Sequence, residues 1–308
     1  MLDSAIRHLA ITDECSIVAA ALFEKTVQIW SWKTGRQLGE FQTMLDFGGR
    51  RLALTPDGST CIVGSWGQRG RGARGLGAYS IPDGRLLWNR KEIRHIQNVG
   101  LSGSGQEIYC GVDGASAHII ETATGETLGR VRGAKKIFGS RYTSHQLIVQ
   151  KDRYLVRAGS EFEISPLSFG LLDAAFSPAA VCLSEPKNFL HPAEQIGGIR
   201  LVDLTTGESR WRLDLGANHL AFNSADHRFY CVAVAGIAPH NRSLVRLANS
   251  LLECDQILPL GKCWREAFTP SGRVLVTVQG DVYETSTGTL LSHLDFPQRD
   301  YPDAALRE

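Results

Sequence analysis

The chain has 308 residues, with 33 Lys and Arg against 32 Asp and Glu and a formal net charge of +1 at pH 7. This even balance excludes a chain dominated by basic nucleic-acid contacts and a highly charged disordered chain, and the 43% of hydrophobic residues is enough for a large core. No stretch approaches the roughly 18 consecutive apolar residues of a membrane-spanning helix.

The N-terminal segment has acidic residues near its start and lacks the apolar centre of a secretory signal peptide, so we expect a cytoplasmic protein. Its seven cysteines form no CxxC pair and no spacing with histidines that predicts a metal site. We therefore expect no metal and no cofactor, and we expect reduced, mostly buried thiols. The cysteines are Cys15, Cys61, Cys110, Cys182, Cys231, Cys254 and Cys263.

In chain order, the first complete unit is the segment 26–41, TVQIWSWKTGRQLGEF, which reads as a strand, a turn at Gly35 and a second strand. Related phrases return at intervals of about one or two times 40 residues, which is the period of a β-propeller. They lie at Ala78–Gly84, Ile119–Gly125, Leu201–Gly207 and Val282–Gly288.

A second phrase falls between these, with a small residue, a large apolar residue and then a turn-forming residue, and it predicts the innermost strand of each unit. The fourth copy, Lys135–Ser140, keeps the large residue but lacks the small one. The other copies begin at Ala10, Ala53, Gly100, Ala175, Ala221 and Ala267.

The two phrases together predict an all-β fold, a seven-bladed β-propeller of four-stranded antiparallel blades, because isolated sheets of this length bury too little apolar surface. We expect one domain over residues 1–296 and a polar tail over 297–308. A pair of β-sandwiches is the alternative, but it would not require a 40-residue repeat. The predicted blades are 5–42, 43–91, 92–133, 134–169, 170–215, 216–260 and 261–296.

The strand ending Val27-Gln28-Ile29-Trp30-Ser31, followed by Lys-Thr-Gly, and the Thr-Pro-Asp-Gly turn at Thr55–Gly58 resemble the WD40-repeat β-propellers over nearly the whole chain. The Gly-His pair that precedes the innermost strand in that family is missing here, and the Trp-Asp ending survives in part. Related repeat propellers of the YVTN or quinoprotein type stay open as an alternative. The resemblance implies a non-catalytic platform that assembles other macromolecules.

Ring closure is predicted to rest on apolar packing between the first and seventh sheets. The first recognisable strand, 7–12, is an inner strand, and the last, 290–296, is an outer strand, so neither terminus supplies a spare strand. We expect residues 297–308 to extend from the ring as a tail.

Function is expected in the loops, because the faces of the strands are committed to the core. Three loops that join the second and third strands of a blade are long: 67–77, 185–197 and 236–243. They emerge on the same face as the connections between blades, and this face is rich in cations. The cations are Arg69, Arg71, Arg74, Lys91, Arg94, Arg132, Lys135, Lys136, Lys187, Arg242 and Lys262.

A polar residue stands two positions before each of these small residues. Together these polar side chains would surround the mouth of the central channel. Water in the channel could hydrate these groups, or they could receive a carboxylate, a phosphate or an acidic peptide. His8 and His219 do not predict a metal site, because they lie on different sides of the ring. The column is His8, Arg51, Asn98, Lys135, Asp173, His219 and Arg265.

These observations predict a non-enzymatic scaffold that binds a protein or peptide partner, with an acidic partner favoured and nucleic acid second. The alternative is a propeller hydrolase or lyase with its site in the funnel, although no GxSxG, HExxH or Walker motif is present. The candidate partner-binding residues are His8, Arg51, Trp66, Arg69, Arg71, Arg74, Lys135, His191, His219, His240, Arg242 and Arg265.

Overall fold

The computed structural model describes residues 2–4, 6–22, 25–45, 50–65, 75–112, 116–150, 153–158, 160–164, 171–185, 198–213, 215, 217–234, 242–247, 254–261 and 266–300. These residues form strands and turns, and this part of the chain includes no helix that is long and apolar enough to cross a membrane.

The chain begins with the short strand β1 (Leu2–Ser4) and then forms seven antiparallel sheets, each made from four consecutive strands. Blade 1 contains β2 (Ile6–Ile11), β3 (Ile17–Leu22), β4 (Thr26–Ser31) and β5 (Gln37–Gln42). Blade 2 contains β6 (Arg50–Leu54), β7 (Thr60–Ser65), β8 (Leu76–Ser80) and β9 (Leu86–Arg90). Blade 3 contains β10 (Ile96–Leu101), β11 (Glu107–Val112), β12 (Ser116–Glu121) and β13 (Thr127–Arg132).

The later sheets repeat this order. Blade 4 contains β14 (Lys136–Gly139), β15 (Gln146–Val149), β16 (Tyr154–Ala158) and β17 (Ser160–Ile164). Blade 5 contains β18 (Asp173–Phe176), β19 (Ala180–Glu185), β20 (Gly198–Asp203) and β21 (Ser209–Leu213). Blade 6 contains β22 (Ala217–Asn223), β23 (Arg228–Val234), β24 (Arg242–Leu247) and β25 (Cys254–Gly261). Blade 7 contains β26 (Glu266–Phe268), β27 (Val274–Thr277), β28 (Asp281–Glu284) and β29 (Leu290–His293).

The predicted seven-bladed β-propeller is confirmed. In each blade the strands run a, b, c, d from the axis outward, and the a strands line a central cavity. The a-to-b and c-to-d turns lie on one side of the disc, which we call the a–b face. The b-to-c loops and the connections between blades lie on the other side, which we call the b–c face.

The repeated turn phrase, which ends in Thr-Gly in four blades and in Asp-Gly in blade 2, forms the c-to-d hairpin of five blades. In blade 1 the Gly35 amide donates to the Ser31 carbonyl oxygen at 2.9 Å, and Gly35 has a φ of 70°. The turn continues into a bulge, since the register between β4 and β5 shifts between Ile29 and Trp30. Glycine is required because the left-handed backbone disfavours a Cβ atom. The equivalent glycines are Gly84, Gly125, Gly207 and Gly288.

Apolar clusters lie between the sheets rather than within them, one cluster at each of the seven interfaces between neighbouring blades. The b strands are therefore covered on both faces, and β7 is buried along its whole length. Small side chains such as Ala19 and Cys61, both fully buried, suit these positions. Neighbouring sheets thus supply the core that one sheet cannot form by itself.

Blade 1 and blade 7 close the ring by apolar packing, as the sequence predicts. Their shared cluster includes Val18 and Val276, and the Trp30 ring meets the Phe296 ring edge-on with centroids 5.6 Å apart. Each sheet is complete without a strand from the opposite terminus.

The prediction of a free polar tail over 297–308 is wrong for its first residues. The strand β30 (Gln298–Asp300) pairs antiparallel with β1, with Leu2 opposite Asp300. The pairing was not foreseen because strands of three residues carry too short an alternation to be recognised. Residues 301–308 lie outside the described residues.

Four cysteines lie in b strands and are buried, as expected: Cys61, Cys110, Cys182 and Cys231. Burial raises the pKa of the Cys110 thiol to about 12, so this thiol stays protonated at neutral pH. Cys15 and Cys254 are exposed, and Cys263 lies outside the described residues.

We expect Gly84→Ala to destabilise the protein more than Gly133→Ala. Both glycines have left-handed backbones, with φ of 67° and 74°. A Cβ atom at position 84 would overlap the Phe41 ring of the preceding blade, whereas at position 133 it would meet no atom within 4 Å. The Gly133 variant should lose roughly 1–2 kcal/mol of unfolding free energy from backbone strain alone. Denaturant unfolding measures both losses, and equal losses would contradict the packing argument.

We also expect Phe296→Ala to cost about 3–5 kcal/mol, because the ring is buried between the first and seventh sheets. A chain truncated after Pro297, which removes β30, should lose less, because a two-stranded sheet contributes little by itself. Denaturant unfolding of the two variants compares these contributions. A larger loss from the truncation would show that the terminal pairing closes the ring.

Candidate binding site in the axial channel

The a strands enclose an axial cavity of about 670 Å³. They start on the b–c face, so the residue at the start of each a strand lies near that mouth of the cavity. Six polar residues of the structure lie near this mouth, two positions before the small residue of their strand or, in blade 4, before Phe138, and form what we call the collar. The collar consists of His8, Arg51, Asn98, Lys136, Asp173 and His219. Arg265, which the sequence predicts at the seventh position, lies outside the described residues.

The blade 4 member of the collar is Lys136, not Lys135 as predicted. Strand pairing places Phe138 opposite Leu147, in the position that a small residue holds in the other blades, and Gly139 opposite Gln146. Lys136 is consequently half-buried at the cavity, while Lys135 is exposed outside it. Alignment on Ser140, which occupies the same turn position as Thr55, would have found the correct register.

Collar residues link each blade to the next. The Leu52 amide donates to His8 Nδ1 at 3.4 Å, Arg51 Nε donates to the Gln97 carbonyl oxygen at 2.8 Å, and Asn98 Nδ2 donates to the Ile137 carbonyl oxygen at 2.8 Å. Lys136 Nζ donates to the Leu171 carbonyl oxygen. The polarity of the column therefore has a structural reason, since inner strands of neighbouring blades carry backbone groups that need partners.

Asp173 provides the link between blades 5 and 6. Its Oδ1 accepts from the Ala174 amide at 2.9 Å and its Oδ2 accepts from the Leu220 amide at 2.8 Å. His219 Nδ1 lies 4.0 Å from the same Oδ2. The carboxylate thus holds two backbone amides of adjacent a strands at the channel mouth.

Burial is the largest cause of the pKa shifts of Asp173, Arg51 and Lys136 in the collar. It raises the pKa of Asp173 to about 6, although the two amides and Lys136 act in the opposite direction. Burial also lowers the pKa of Arg51 and of Lys136, and for Lys136 the nearby Arg51 charge adds to this while Asp173 opposes it. The two desolvated cations Arg51 and Lys136 therefore lie near the Asp173 carboxylate, while the second carboxylate at the cavity, Glu266, is paired with Arg242.

Below the collar small and apolar residues form part of the wall, and polar residues such as Thr12 and Thr269 line its a–b end. The small residues Ala10 and Ala53 line the wall, and a Cβ atom added to Gly100 would meet no atom within 4 Å, so this position faces open space. Phe138 is the large exception: it is partly buried against the apolar cluster between blades 4 and 5 and also lines the cavity. In blade 4 an aromatic ring therefore occupies the position that holds a small residue in the other blades.

Contacts between blades that are not neighbours cross the a–b end of the cavity. Arg141 in the turn of blade 4 forms an ion pair with Asp13 of blade 1, and Asp13 also accepts from the Ser271 amide at 2.8 Å. The Tyr142 hydroxyl donates to the Phe222 carbonyl oxygen of blade 6 at 3.3 Å. These bridges cross the a–b end of the channel, whereas the collar hydrogen bonds described above lie within one blade or join neighbouring blades. Sequence reasoning missed them because they join distant turns.

Arg242 does not belong to an exposed loop as predicted. It begins β24, its side chain is 7% exposed, and it forms a buried ion pair with Glu266. It is therefore committed to the interface of blades 6 and 7 and is not available to a partner. The predicted residues that lie outside the described part of the chain are Trp66, Arg69, Arg71, Arg74, His191, His240 and Arg265.

The described residues contain no group of three His, Cys, Asp or Glu side chains that could hold a metal ion. The site is therefore best described by its own charges and by its apolar wall.

The fold and the channel define a seven-bladed β-propeller with a polar collar. The solved structure of U3-55K, a WD40 protein, has a TM-score of 0.66 and 12% sequence identity to this chain, covering 89% of this chain and 88% of that one. At this identity the likeness shows the fold alone. No family model and no curated protein matches the sequence.

We expect the Asp173→Asn variant to change the pH dependence of stability. The folded pKa of Asp173, about 6, lies above its ordinary value of 3.8, so the wild type loses stability as pH rises from about 4 to 6. The asparagine does not titrate, so the stability of the variant relative to wild type should rise over this range, by on the order of 3 kcal/mol at most. Thermal unfolding between pH 4 and 7.5 measures this difference.

Asp203→Asn provides the control. Hydrogen bonds from Arg210 and from the Thr206 and Thr205 amides lower the pKa of Asp203 to about 2, so its titration is complete below this range. The stability difference for this variant should stay constant from pH 5 to pH 7.5. A constant difference for Asp173→Asn as well would contradict the raised pKa.

Proposed function

We propose that this chain is a non-enzymatic recognition module of the WD40-like type, which binds an acidic segment of a protein partner on the b–c face. The propeller fold and the structural likeness to a WD40 protein support a scaffold of this kind. The choice of face and of partner chemistry rests on the charges described next.

The observation that carries the proposal is a group of exposed cations on the b–c face of blades 2 to 4, which we call the basic sector. Lys91 and Arg94 lie in the connection after β9, Arg132 ends β13, and Lys135 lies in the connection that follows. The exposed acid in the described part of these connections is Glu92, which pairs with Arg90. The sector therefore presents an excess of positive charge that attracts an acidic surface.

Exposed apolar side chains accompany these cations on the same face. Met44, 61% exposed, lies between blades 1 and 2, and Leu172, 41% exposed, lies between blades 4 and 5 beside the collar. Methionine and arginine are enriched at protein interfaces, whereas a phosphate backbone offers little to an apolar side chain. This combination favours a protein partner over nucleic acid.

A hydrolase or lyase in the funnel is the second candidate, and the pair of Asp173 and His219 favours it. The pKa of Asp173, about 6, suits general acid–base chemistry near neutral pH. The 4.0 Å separation of Asp173 Oδ2 and His219 Nδ1 is too long for a hydrogen bond, and two backbone amides already occupy the carboxylate. Turnover of esters, lactones or phosphoesters that Asp173→Asn abolishes would favour this candidate.

We expect the double variant Arg94→Glu, Lys135→Glu to bind a fluorescein-labelled poly-glutamate peptide at least about tenfold more weakly than wild type, a loss of about 1.4 kcal/mol. Both side chains are exposed, so the melting temperature should change little. Fluorescence anisotropy at low and at physiological salt measures the affinity, which should fall as salt rises.

The matched control is Lys33→Glu, Arg36→Glu, which reverses two exposed charges in the blade 1 turn on the a–b face. It should bind the peptide nearly as well as wild type. Equal weakening by both variants would mean that net charge alone governs binding. Tighter binding of duplex DNA or single-stranded RNA than of the peptide would replace the acidic protein partner with nucleic acid.

A further inference from the structure

We propose that the axial cavity binds a small organic anion with an apolar body, whose acidic head pairs with Arg51 and Lys136 and whose body contacts Phe138. This proposal concerns the interior of the channel and does not rest on partner binding at the basic sector.

The size of the cavity suits a small molecule. Ligand pockets in proteins typically measure about 300–1,000 Å³, have mostly apolar walls and hold a few converging polar groups. The axial cavity, at about 670 Å³, falls within this range and has apolar residues between its polar collar and the polar turns at its a–b end. A peptide chain would meet the bridges made by Arg141 and Tyr142 at the far end, whereas a small molecule fits above them.

The cations at the entrance provide the reason for an anion. The Nε of Arg51 is bound to a backbone carbonyl oxygen, so the terminal guanidinium nitrogens remain to contact a ligand. Among the described residues, neither Arg51 nor Lys136 forms an ion pair with a carboxylate. The charge of Asp173 raises the pKa of Lys136, so these two groups interact electrostatically at longer range. The other titratable groups near this mouth are His8, His219 and Glu266, and the Glu266 carboxylate forms a buried ion pair with Arg242. A bound carboxylate could accept hydrogen bonds from both cations and would offset one of two positive charges that burial leaves poorly hydrated.

The apolar body has a defined place against blade 4. Phe138 is partly buried against the cluster between blades 4 and 5 and also lines the cavity, and in the neighbouring blade 3 the Gly100 position faces open space. A flat aromatic or aliphatic group that stacks on the Phe138 ring would bury apolar surface on both partners without moving a strand. The chemical class is therefore an aryl or alkyl carboxylate, with the phosphate esters of similar size as close relatives.

Isothermal titration calorimetry with 2-naphthoate tests the proposal, with 2-naphthamide as the uncharged comparison. We expect wild-type protein to bind 2-naphthoate with a dissociation constant below about 1 mM and to bind the amide at least about tenfold more weakly. Absence of heat with 2-naphthoate up to this concentration overturns the proposal and leaves a water-filled pore. Equal affinity for the amide overturns the role of the cations.

Two variants locate the site. Gly100→Leu should abolish binding without a loss of melting temperature, because the new side chain enters open space in the cavity and the backbone is not left-handed. Arg51→Met should weaken 2-naphthoate at least about tenfold and leave the amide unchanged. Wild-type affinity in Gly100→Leu would place the binding outside the channel and overturn the proposal.

The charge-reversal variant of the basic sector, Arg94→Glu, Lys135→Glu, separates the two proposals. It should bind 2-naphthoate within about twofold of wild type, because both side chains are exposed outside the cavity. A tenfold loss in this variant would show that the naphthoate binds at the partner surface instead. Failure of peptide binding alone, with naphthoate binding retained, would refute the proposed function and leave this inference standing.

Discussion

Face-to-face packing of neighbouring sheets is the constraint on which the rest of this structure depends. A four-stranded sheet of this size cannot bury its own apolar faces, and each of the seven apolar clusters lies between two blades. The ring must therefore close, and Trp30 and Phe296 pack where the two ends of the chain meet. The same close approach explains why Gly84 has no room for a side chain beside Phe41.

The collar residues stabilise the contacts between blades and also form a candidate anion-binding site. Arg51, Asn98 and Asp173 satisfy backbone groups of the next blade, and these links fix where their charges lie. Burial disfavours the charged forms of Arg51, Lys136 and Asp173 alike, so two poorly hydrated cations lie near one poorly hydrated carboxylate at the channel mouth. The structural role therefore does not exclude recognition of an anion; it holds the recognising groups in place.

The two faces of the disc differ for a physical reason. On the a–b face the turns are short, and left-handed glycines pack them against the preceding blade, so little variation is possible. On the b–c face the connections are longer and carry the exposed cations Lys91, Arg94 and Lys135. Substitutions in these connections do not disturb the interfaces between sheets. For that reason we place the partner-binding surface on this face.

The sequence by itself determined the blade number, the inner strands and the glycine turns, because these follow from local alternation and turn chemistry repeated at a fixed period. Among the described blades it also determined which polar residues line the channel mouth, except in blade 4, where the lost small residue hid the shift from Lys135 to Lys136; Arg265 of blade 7 lies outside the described residues. Tertiary structure alone decided that Arg242 is buried against Glu266, that Asp13 and Arg141 meet across the channel, and that β1 pairs with β30. These contacts join residues far apart in the chain. A local sequence pattern does not show which residue of another blade will be the contact partner.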